Sequence, residues 1–264
     1  MLDTSRPYVV MGLLNKQSTA YAIGEAIRAQ GGHVIYSMQN ALLKKRYLDR
    51  QLNDETLEIR FCDAIREDEV ETLFHSTGPV AGVVHSLAYA NPKTCLGDEF
   101  HTKATEDIKR SYEVSCISLA TVARYAAESM SDGGALVALS FDAARAYAAY
   151  NWMGVHKAAL EALVRALARR HGRDGIRVNA VSAGPLLTAA ASKIPGFEHL
   201  LSHWKRTSPL PWDPEAAKAA VADAVVFLLS RMARAVTGHI LMADGGASVM
   251  GVPLLESEKS DARL

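Results

Sequence analysis

Tyr8-Val9-Val10-Met11-Gly12-Leu13-Leu14-Asn15-Lys16-Gln17-Ser18-Thr19-Ala20 is the stretch that decides the fold. Its first four residues are an apolar run that favours a buried strand, and Gly12 begins a turn. Apolar residues then recur at helical spacing over Ser18–Gln30, which predicts a helix. A strand, a turn and a helix in this order are the first unit of a parallel α/β sheet.

Strand and helix patterns alternate along the rest of the chain. The predicted strands are Tyr8–Met11, His33–Ser37, Leu57–Cys62, Val80–His85, Ala135–Leu139, Arg177–Ser182 and His239–Met242. The predicted helices are Ser18–Gln30, Ala41–Gln51, Glu67–His75, Thr105–Met130, Tyr150–His171 and Pro214–Leu229, the last capped by Asp213. This alternation predicts a single-domain, doubly wound parallel sheet of the Rossmann-like type, with about seven strands and helices on both faces.

We expect residues 1–264 to form one dinucleotide-binding and catalytic domain. Residues 186–212 show no clear periodicity and are interpreted as a lid or binding loop, because long irregular segments of compact domains usually serve that purpose. Residues 252–264 form a polar C-terminal tail.

The composition excludes several classes of protein. Lys+Arg and Asp+Glu balance at 29 each, so neither nucleic acid nor an acidic membrane is an expected partner. The three cysteines are widely spaced, which is typical of reduced thiols in the cytoplasm. The first residues lack a signal-peptide pattern, and no apolar run is long enough to span a bilayer. We therefore expect a cytoplasmic protein that needs neither a disulfide nor a metal.

Small and polar residues follow the predicted strands, at the edge where α/β sheets bind ligands. Gly12 permits close backbone approach, and Ser18 and Thr19 can cap the helix and donate to a pyrophosphate. An ordinary serine-capped helix would show the same pattern. The further predicted cofactor contacts at the ends of the second, third and fourth strands are Gln39, Asp63, Ala64, Ser86, Leu87 and Ala88.

The end of the second strand bears on the choice of dinucleotide. Gln39 can hydrogen-bond the adenosine end, and no Arg or Lys immediately follows the strand to attract a 2′-phosphate, which favours NADH over NADPH. The basic residues 44–46, one turn further on, are interpreted as a solvated helix face. Asp63 can accept a hydrogen bond from the adenine amine, or it can simply cap a helix.

Tyr150 and Lys157 are the candidate reacting residues. Seven residues correspond to about two helical turns and a rise of about 10 Å, so both side chains lie on one helix face. A tyrosine hydroxyl can donate to an oxygen that becomes anionic, and a nearby ammonium favours that charge. A surface tyrosine and a surface lysine at this spacing are also common in ordinary helices.

The spacing Tyr150-x6-Lys157 resembles that of the enoyl-acyl-carrier-protein reductases, whereas the wider short-chain dehydrogenase/reductase superfamily usually has Tyr-x3-Lys. Phe141 supplies the aromatic residue nine positions upstream. Over about residues 7–250, further motifs fit the family in order: Gly12-x5-Ser18, Gln39, Cys62-Asp63, Val84-His85-Ser86, Tyr150-Asn151-x-Met153-Gly154, Arg177-Val178-Asn179-Ala180, Ala183-Gly184-Pro185 and Asp244-Gly245-Gly246.

The resemblance implies an NADH-dependent reduction of the C2–C3 double bond of a trans-2-enoyl thioester in fatty acid elongation. Tyr150 would hold the thioester oxygen, and Lys157 would bind the nicotinamide ribose. Gly184, Pro185 and Leu186 would contact the nicotinamide carboxamide, and Thr188 the pyrophosphate. The thioester would be carried by acyl carrier protein or coenzyme A, and the family resemblance suggests a homotetramer.

The resemblance also implies an apolar substrate lid over Thr188–Phe197. The predicted substrate contacts are Phe141, Tyr147, Tyr150, Met153, Ala190, Ile194 and Phe197. Many family members have a tyrosine where Phe141 stands, so this chain lacks one polar anchor. His156 is interpreted as packed or solvated, with a proton-relay role as the alternative.

Two other functions compete with this one. The first is reduction of a ketone or another activated alkene in a specialised pathway. Carbonyl reductases of the superfamily place a serine about thirteen residues before the tyrosine, where this chain has Val137, and that argues against ketones. The second is a dinucleotide-binding protein without catalysis, against which the pair Tyr150 and Lys157 argues.

Overall fold

The computed structural model describes residues 1–51, 56–100, 102–148 and 150–252. Seven strands form one sheet: β1 Tyr8–Met11, β2 Val34–Met38, β3 Glu58–Phe61, β4 Gly82–His85, β5 Gly134–Ser140, β6 Ile176–Ala183 and β7 Ile240–Ala243. The order across the sheet is β3-β2-β1-β4-β5-β6-β7, and every neighbouring pair is parallel. The predicted doubly wound, Rossmann-like fold is confirmed.

The helices follow the strands in the alternation that the sequence predicts. They are α1 Thr19–Ala29, α2 Ala41–Leu43, α3 Glu67–Thr77, α4 Thr105–Tyr112, α5 Ser118–Glu128, α6 Asn151–His171, α7 Phe197–Thr207 and α8 Ala217–Leu229. Two π-helical turns interrupt predicted helices, Lys44–Leu48 after α2 and Glu113–Ile117 between α4 and α5. None of the helices within the described ranges has the length and apolar character needed to cross a membrane.

Two apolar layers cover the sheet. One face packs against α1 and α8, through residues such as Ile23, Ile27 and Val225. The other packs against α3, α5 and α6, through residues such as Leu73 and Leu160. Because both faces are covered, β1 and β4 are buried along their whole length, as continuous apolar runs predict.

Strand order reverses at β1, which lies between β2 and β4. A crevice opens at such a switch point beyond the carboxyl ends of the strands, because successive connections leave in opposite directions there. The turn after β1 and the end of β4 meet at this place. The topology therefore brings Gly12 next to Ser86.

The prediction that residues 186–212 lack secondary structure is wrong in part. A 3₁₀ turn, Ala191–Lys193, and the helix α7 lie within this segment. Phe197, Leu200, Leu201 and Trp204 are buried at positions i, i+3, i+4 and i+7, so the helical signal was present in the sequence.

The start of the last helix also differs from the prediction. The Asp213 carboxylate caps the last helix by accepting from the backbone N–H groups of Glu215 and Ala216, at 2.9 and 2.7 Å. Regular α8 starts only at Ala217, after this turn and not at Pro214. Of the predicted C-terminal tail, residues 253–264 lie outside the described residues.

Candidate active site

A cleft of about 640 Å³ opens at the carboxyl ends of the strands, on both sides of the switch point. Every residue predicted to contact the cofactor lines this cleft: Gly12, Ser18, Thr19, Gln39, Asp63, Ala64, Ser86, Leu87, Ala88, Lys157, Gly184, Pro185, Leu186 and Thr188. They come from six segments that are far apart in sequence. The parallel sheet alone brings them together, because all its strands end at the same edge.

The backbone of Gly12 lies close to the backbone of Ser86 in the cleft wall. Its φ of +99° lies in the region that favours glycine, and a Cβ placed on it would lie 2.1 Å from the carbonyl oxygen of Ser86. A side chain at position 12 would therefore clash with the backbone at the end of β4, so the first turn can pack this closely only because residue 12 is glycine. Close backbone approach of this kind is typical of turns that bind a pyrophosphate.

Ser18 stabilises the turn before α1. The prediction that its side chain caps the helix is wrong. Its Oγ accepts from the backbone N–H groups of Leu14 and Asn15, at 3.1 and 3.0 Å. No side chain among the described residues caps the start of α1. The first N–H groups of α1 thus remain available to an anion in the cleft.

Three polar side chains form the end of the cleft beyond β2 and β3, which is the predicted adenosine end. Gln39 Nε2 donates to Asp63 Oδ2 at 2.8 Å, and Arg110 Nη2 lies 3.7 Å from the same oxygen. Arg110 lines the cleft from α4, with Val114 one turn later. Sequence reasoning missed Arg110, because its separation of 47 residues from Asp63 carries no local signal.

The basic residues after β2 lie away from the cleft. Lys44 Nζ forms an ion pair with Asp49 at 2.7 Å, and the Arg46 guanidinium lies 5.2 Å from the Tyr47 ring centroid. Of this segment, Leu43 is the residue that lines the cleft. The interpretation of residues 44–46 as a solvated helix face therefore agrees with the structure.

Two tryptophans pack against Gly184, which lines the cleft. A Cβ on Gly184 would lie 2.6 Å from Trp204 Nε1 and from Trp212 Cζ2, so the backbone there is held by close packing. The Trp204 indole donates to the carbonyl of Asp244 at 2.9 Å, and the Trp212 indole to that of Pro185, also at 2.9 Å. These bonds hold Gly184, Pro185 and Leu186 in the wall.

Lys157 projects from α6 into the cleft and is only 4% exposed. Its ammonium donates to the carbonyl of Leu139, at the end of β5, over 2.7 Å. Burial lowers the pKa of Lys157 from 10.5 to about 8, although Cys116 and Glu161 partly oppose this effect. The residue therefore places a weakly solvated positive charge in the floor of the cleft.

Tyr150 lies immediately before α6 and faces the same cleft. Its hydroxyl has no hydrogen-bond partner within the described part of the chain, and its ring packs on Phe141 with centroids 4.8 Å apart. Burial raises the pKa of the Tyr150 hydroxyl well above its usual value. The hydroxyl is therefore a protonated donor that has no acceptor among the described residues.

Four predicted substrate contacts line the cleft beside Tyr150: Phe141, Ala190, Ile194 and Phe197. They form an apolar wall on the side of α7. Val137, thirteen residues before Tyr150, is fully buried in β5. It therefore offers no hydroxyl to the site, which argues against ketone reduction as predicted.

Tyr147 and Met153 do not line the cleft. The buried carboxylate of Asp142 accepts from the Tyr147 hydroxyl at 2.8 Å, and the Tyr147 ring borders a separate cavity of about 730 Å³ behind Trp204. Met153 is buried against α4, with its Sδ 3.4 Å from Ser111 Oγ. Neither side chain lies in the wall of this cleft, and their contact with the substrate stays a prediction.

His156 is packed, as predicted, and does not line the cleft. Its Nδ1 lies 3.1 Å from Ser111 Oγ, and its ring lies between those of Tyr112 and Trp152. Burial, with a smaller effect of the Lys157 charge, lowers the pKa of His156 to about 4. A neutral, packed imidazole argues against the alternative proton-relay role.

A doubly wound sheet, a glycine crossing at its switch point, and a tyrosine and a lysine in one cleft together define a nicotinamide-dinucleotide oxidoreductase of the short-chain dehydrogenase/reductase type. A family model described as Enoyl-(Acyl carrier protein) reductase matches residues 12–248. The chain therefore belongs to the enoyl-(acyl carrier protein) reductase family, as its motifs indicate.

Curated relatives and solved structures agree with this assignment. The chain is 33% identical to the enoyl-[acyl-carrier-protein] reductase [NADH] of Escherichia coli K12 over 94% of this chain and 96% of the relative. It is 34% identical to the Bacillus cereus enzyme of the same name, over 93% and 98%. The crystal structure of a Bacillus cereus enoyl-acyl carrier protein reductase with NADP+ and indole naphthyridinone superimposes with a TM-score of 0.86 at 33% identity, covering 94% of this chain and 98% of that one. The Aquifex aeolicus enzyme gives 0.84 at 32% identity, with the same coverage.

Proposed function

We propose that this chain reduces the C2–C3 double bond of a trans-2-enoyl thioester, using NADH, in fatty acid elongation. The observation that carries the proposal is the Tyr150 hydroxyl. It is a protonated donor without a hydrogen-bond partner in the part of the chain that the structure describes, and it lies in one cleft with a buried lysine and an apolar wall. The relatives' names support both the substrate class and NADH.

The cleft residues fit a dinucleotide. The tight turn at Gly12 and the uncapped start of α1 suit a pyrophosphate, with Ser18, Thr19 and Thr188 also lining the cleft. Asp63 and Ala64 would hold the adenine, and Ser86, Leu87 and Ala88 would let the ribose and nicotinamide pass. Gly184, Pro185 and Leu186 would face the nicotinamide ring. When bound, NADH supplies the hydride.

Tyr150 and Lys157 would then have different roles in the reaction. When hydride reaches the β-carbon of the substrate, negative charge develops on the thioester oxygen, and the Tyr150 hydroxyl donates a hydrogen bond to that oxygen. Lys157 would hold the nicotinamide ribose, while its charge favours the developing anion. Because Phe141 has no hydroxyl, Tyr150 is the single polar anchor that we assign to the thioester oxygen.

Residues 186–212, including α7, would act as the substrate lid. Ala190, Ile194 and Phe197 present small and apolar side chains to the cleft, which suits an acyl chain. Closure of this segment over the substrate would exclude water from the reacting atoms.

We further propose that the chain acts on a thioester of acyl carrier protein in the cytoplasm, as a homotetramer. Two faces expose apolar side chains, one formed by Tyr112, Ile117 and Val155 on the helical side and one by Phe227 and Met242 near the edge strand β7. Two kinds of interface are what a closed tetramer of two-fold symmetry requires. The molecular mass by light scattering tests this oligomeric state.

The central test is spectrophotometric. Purified protein is mixed with NADH and with 2-enoyl thioesters of increasing chain length, carried by coenzyme A or by acyl carrier protein, and absorbance of the reduced nicotinamide is followed. We expect NADH to be oxidised in proportion to added thioester, and a higher kcat/KM with the protein-bound thioester. Absence of oxidation at every chain length, with NADH shown to bind, would refute the proposed reaction.

A further inference from the structure

Arg110 places a positive charge at the adenosine end of the cleft. Its side chain reaches there from α4 and is 41% exposed. Among the described residues that line the cleft, the other cation is Lys157 of α6, whose ammonium contacts the carbonyl of Leu139 in β5. The charge of Arg110 therefore acts on a different part of a dinucleotide from that of Lys157.

The position of Arg110 relative to Gln39 brings this charge close to the adenosine ribose. In doubly wound sheets the residue at the end of the second strand faces the ribose 2′-hydroxyl, and in this chain that residue is Gln39. Gln39 Nε2 lies 2.8 Å from Asp63 Oδ2, which lies 3.7 Å from Arg110 Nη2. The two nitrogens are thus at most 6.5 Å apart, the sum of these distances. A phosphate on the ribose would lie within reach of the guanidinium.

Arg110 is also free to exchange its present partners. Its distances to Asp63 and Glu113 are 3.7 and 3.5 Å, at or beyond the limit of a hydrogen bond, and all three side chains are partly exposed. Ion pairs of this kind contribute about 0–1 kcal/mol. A guanidinium binds phosphate through two parallel hydrogen bonds, which is a stronger interaction.

We propose that Arg110 is a specificity-determining residue that lets this cleft accept the 2′-phosphate of NADPH as well as NADH. The inference rests on the proposed dinucleotide site and goes beyond it, since NADH binding does not require Arg110. Asp63 opposes the effect, because its carboxylate attracts Arg110 and repels the phosphate. The balance between Arg110 and Asp63 sets the NADH-to-NADPH affinity ratio.

The test compares ligands that differ only by the 2′-phosphate. Dissociation constants for NADH and NADPH, and for ADP and 2′,5′-ADP, are measured by titration calorimetry on wild type, Arg110→Gln, Lys109→Gln and Asp63→Asn. Lys109 is the matched control, because it precedes Arg110, is 68% exposed, pairs with Glu106 at 3.0 Å and does not line the cleft.

We expect Arg110→Gln to weaken binding of NADPH and of 2′,5′-ADP about tenfold, the factor for one unit charge acting on a doubly charged phosphate at about 6 Å in a water-like dielectric. In the same variant, the dissociation constants of NADH and ADP should change less than about threefold. Lys109→Gln should change neither the NADH-to-NADPH affinity ratio nor the ADP-to-2′,5′-ADP ratio. Asp63→Asn should strengthen 2′,5′-ADP binding relative to ADP.

Three results would overturn the proposal. The first is an Arg110→Gln protein that loses as much affinity for NADH as for NADPH, or for ADP as for 2′,5′-ADP. The second is an Arg110→Gln protein whose affinities do not change. The third is a wild-type protein that binds ADP but not 2′,5′-ADP. Failure of the proposed function is a separate outcome, since a protein without the dinucleotide site would bind neither NADH nor ADP.

Discussion

Replacement of Lys157 by methionine should make the protein more stable while it removes dinucleotide binding. The lysine is buried, and its nearest acceptor is the neutral carbonyl of Leu139 at 2.7 Å. A buried ammonium without a carboxylate in hydrogen-bond contact opposes folding. The site thus retains a charge that destabilises the empty protein, as sites for charged ligands commonly do.

The structure provides the magnitude. The lowering of the Lys157 pKa from 10.5 to about 8 corresponds to roughly 3 kcal/mol of unfavourable free energy for the charged form, at about 1.4 kcal/mol per unit. Methionine removes this term, but it leaves the Leu139 carbonyl without its donor, which costs about 1–2 kcal/mol. The expected net gain for Lys157→Met at neutral pH is therefore about 1–2 kcal/mol.

The pH dependence gives the sharper test. Between pH 8 and pH 10.5 the unfolded chain keeps a proton on Lys157 that the folded protein has released, so the stability of wild type rises with pH in this window. The advantage of Lys157→Met should be full below pH 8 and should shrink as pH rises above 8. Other titrating groups are common to both proteins and cancel in the difference.

The assay is urea unfolding of the ligand-free proteins from pH 7 to pH 9.5, followed by circular dichroism. Lys218→Met is the matched control, since Lys218 is also buried but contacts both carboxylate oxygens of Glu215 at 2.9 Å. That variant loses an ion pair and should gain no stability. A Lys157→Met protein that is less stable than wild type at pH 7, or whose advantage does not change with pH, would show that the buried charge of Lys157 does not oppose folding.

Three further substitutions test other parts of the structure. Gly12→Ala should lower the free energy of unfolding by about 2–4 kcal/mol and abolish NADH binding, because a Cβ at a φ of +99° would lie 2.1 Å from the Ser86 carbonyl. Urea unfolding measures the stability and calorimetry the NADH affinity, and near wild-type values of both would contradict the prediction. Tyr150→Phe should reduce kcat about 100-fold or more, with NADH affinity within about twofold, since it removes one donor and keeps the ring; full activity would rule out the hydroxyl's role. Burial lowers the pKa of His156 from 6.5 to about 4, so the contribution of His156 to stability is lost as pH falls from about 7 towards 4. In the same unfolding assay, His156→Gln should therefore lose less stability than wild type between pH 7 and pH 5. Equal losses in the two proteins would contradict the burial argument.

The predictable part of this protein lies in features that are local in the sequence. The strand before Gly12 and the helix after it follow from periodicity and turn chemistry over about twenty residues. The spacing between Tyr150 and Lys157 defines one helix face, and both side chains do line the cleft. Even α7 had a usable signal, because Phe197, Leu200, Leu201 and Trp204 have helical spacing.

Contacts between distant elements could not be predicted in this way. Tyr147 faces away from the cleft because its hydroxyl donates a hydrogen bond to the buried carboxylate of Asp142. Met153 is directed towards Ser111 of α4 and Ser115 of the π-helical turn that follows α4, whose hydroxyl oxygens lie 3.4 and 3.8 Å from its Sδ. In both cases packing partners elsewhere in the chain decide the direction of a side chain, and spacing along one helix does not reveal them.

The sequence by itself determined the sheet, its cleft and the two candidate reacting residues, because local periodicity and the common direction of parallel strands place strand ends at one edge. Only the tertiary structure decided which side chains complete that edge. Arg110 joins Asp63 and Gln39 through the packing of α4 beside the ends of β2 and β3. Such an encounter depends on how helices pack on the sheet, a long-range outcome that no local pattern encodes.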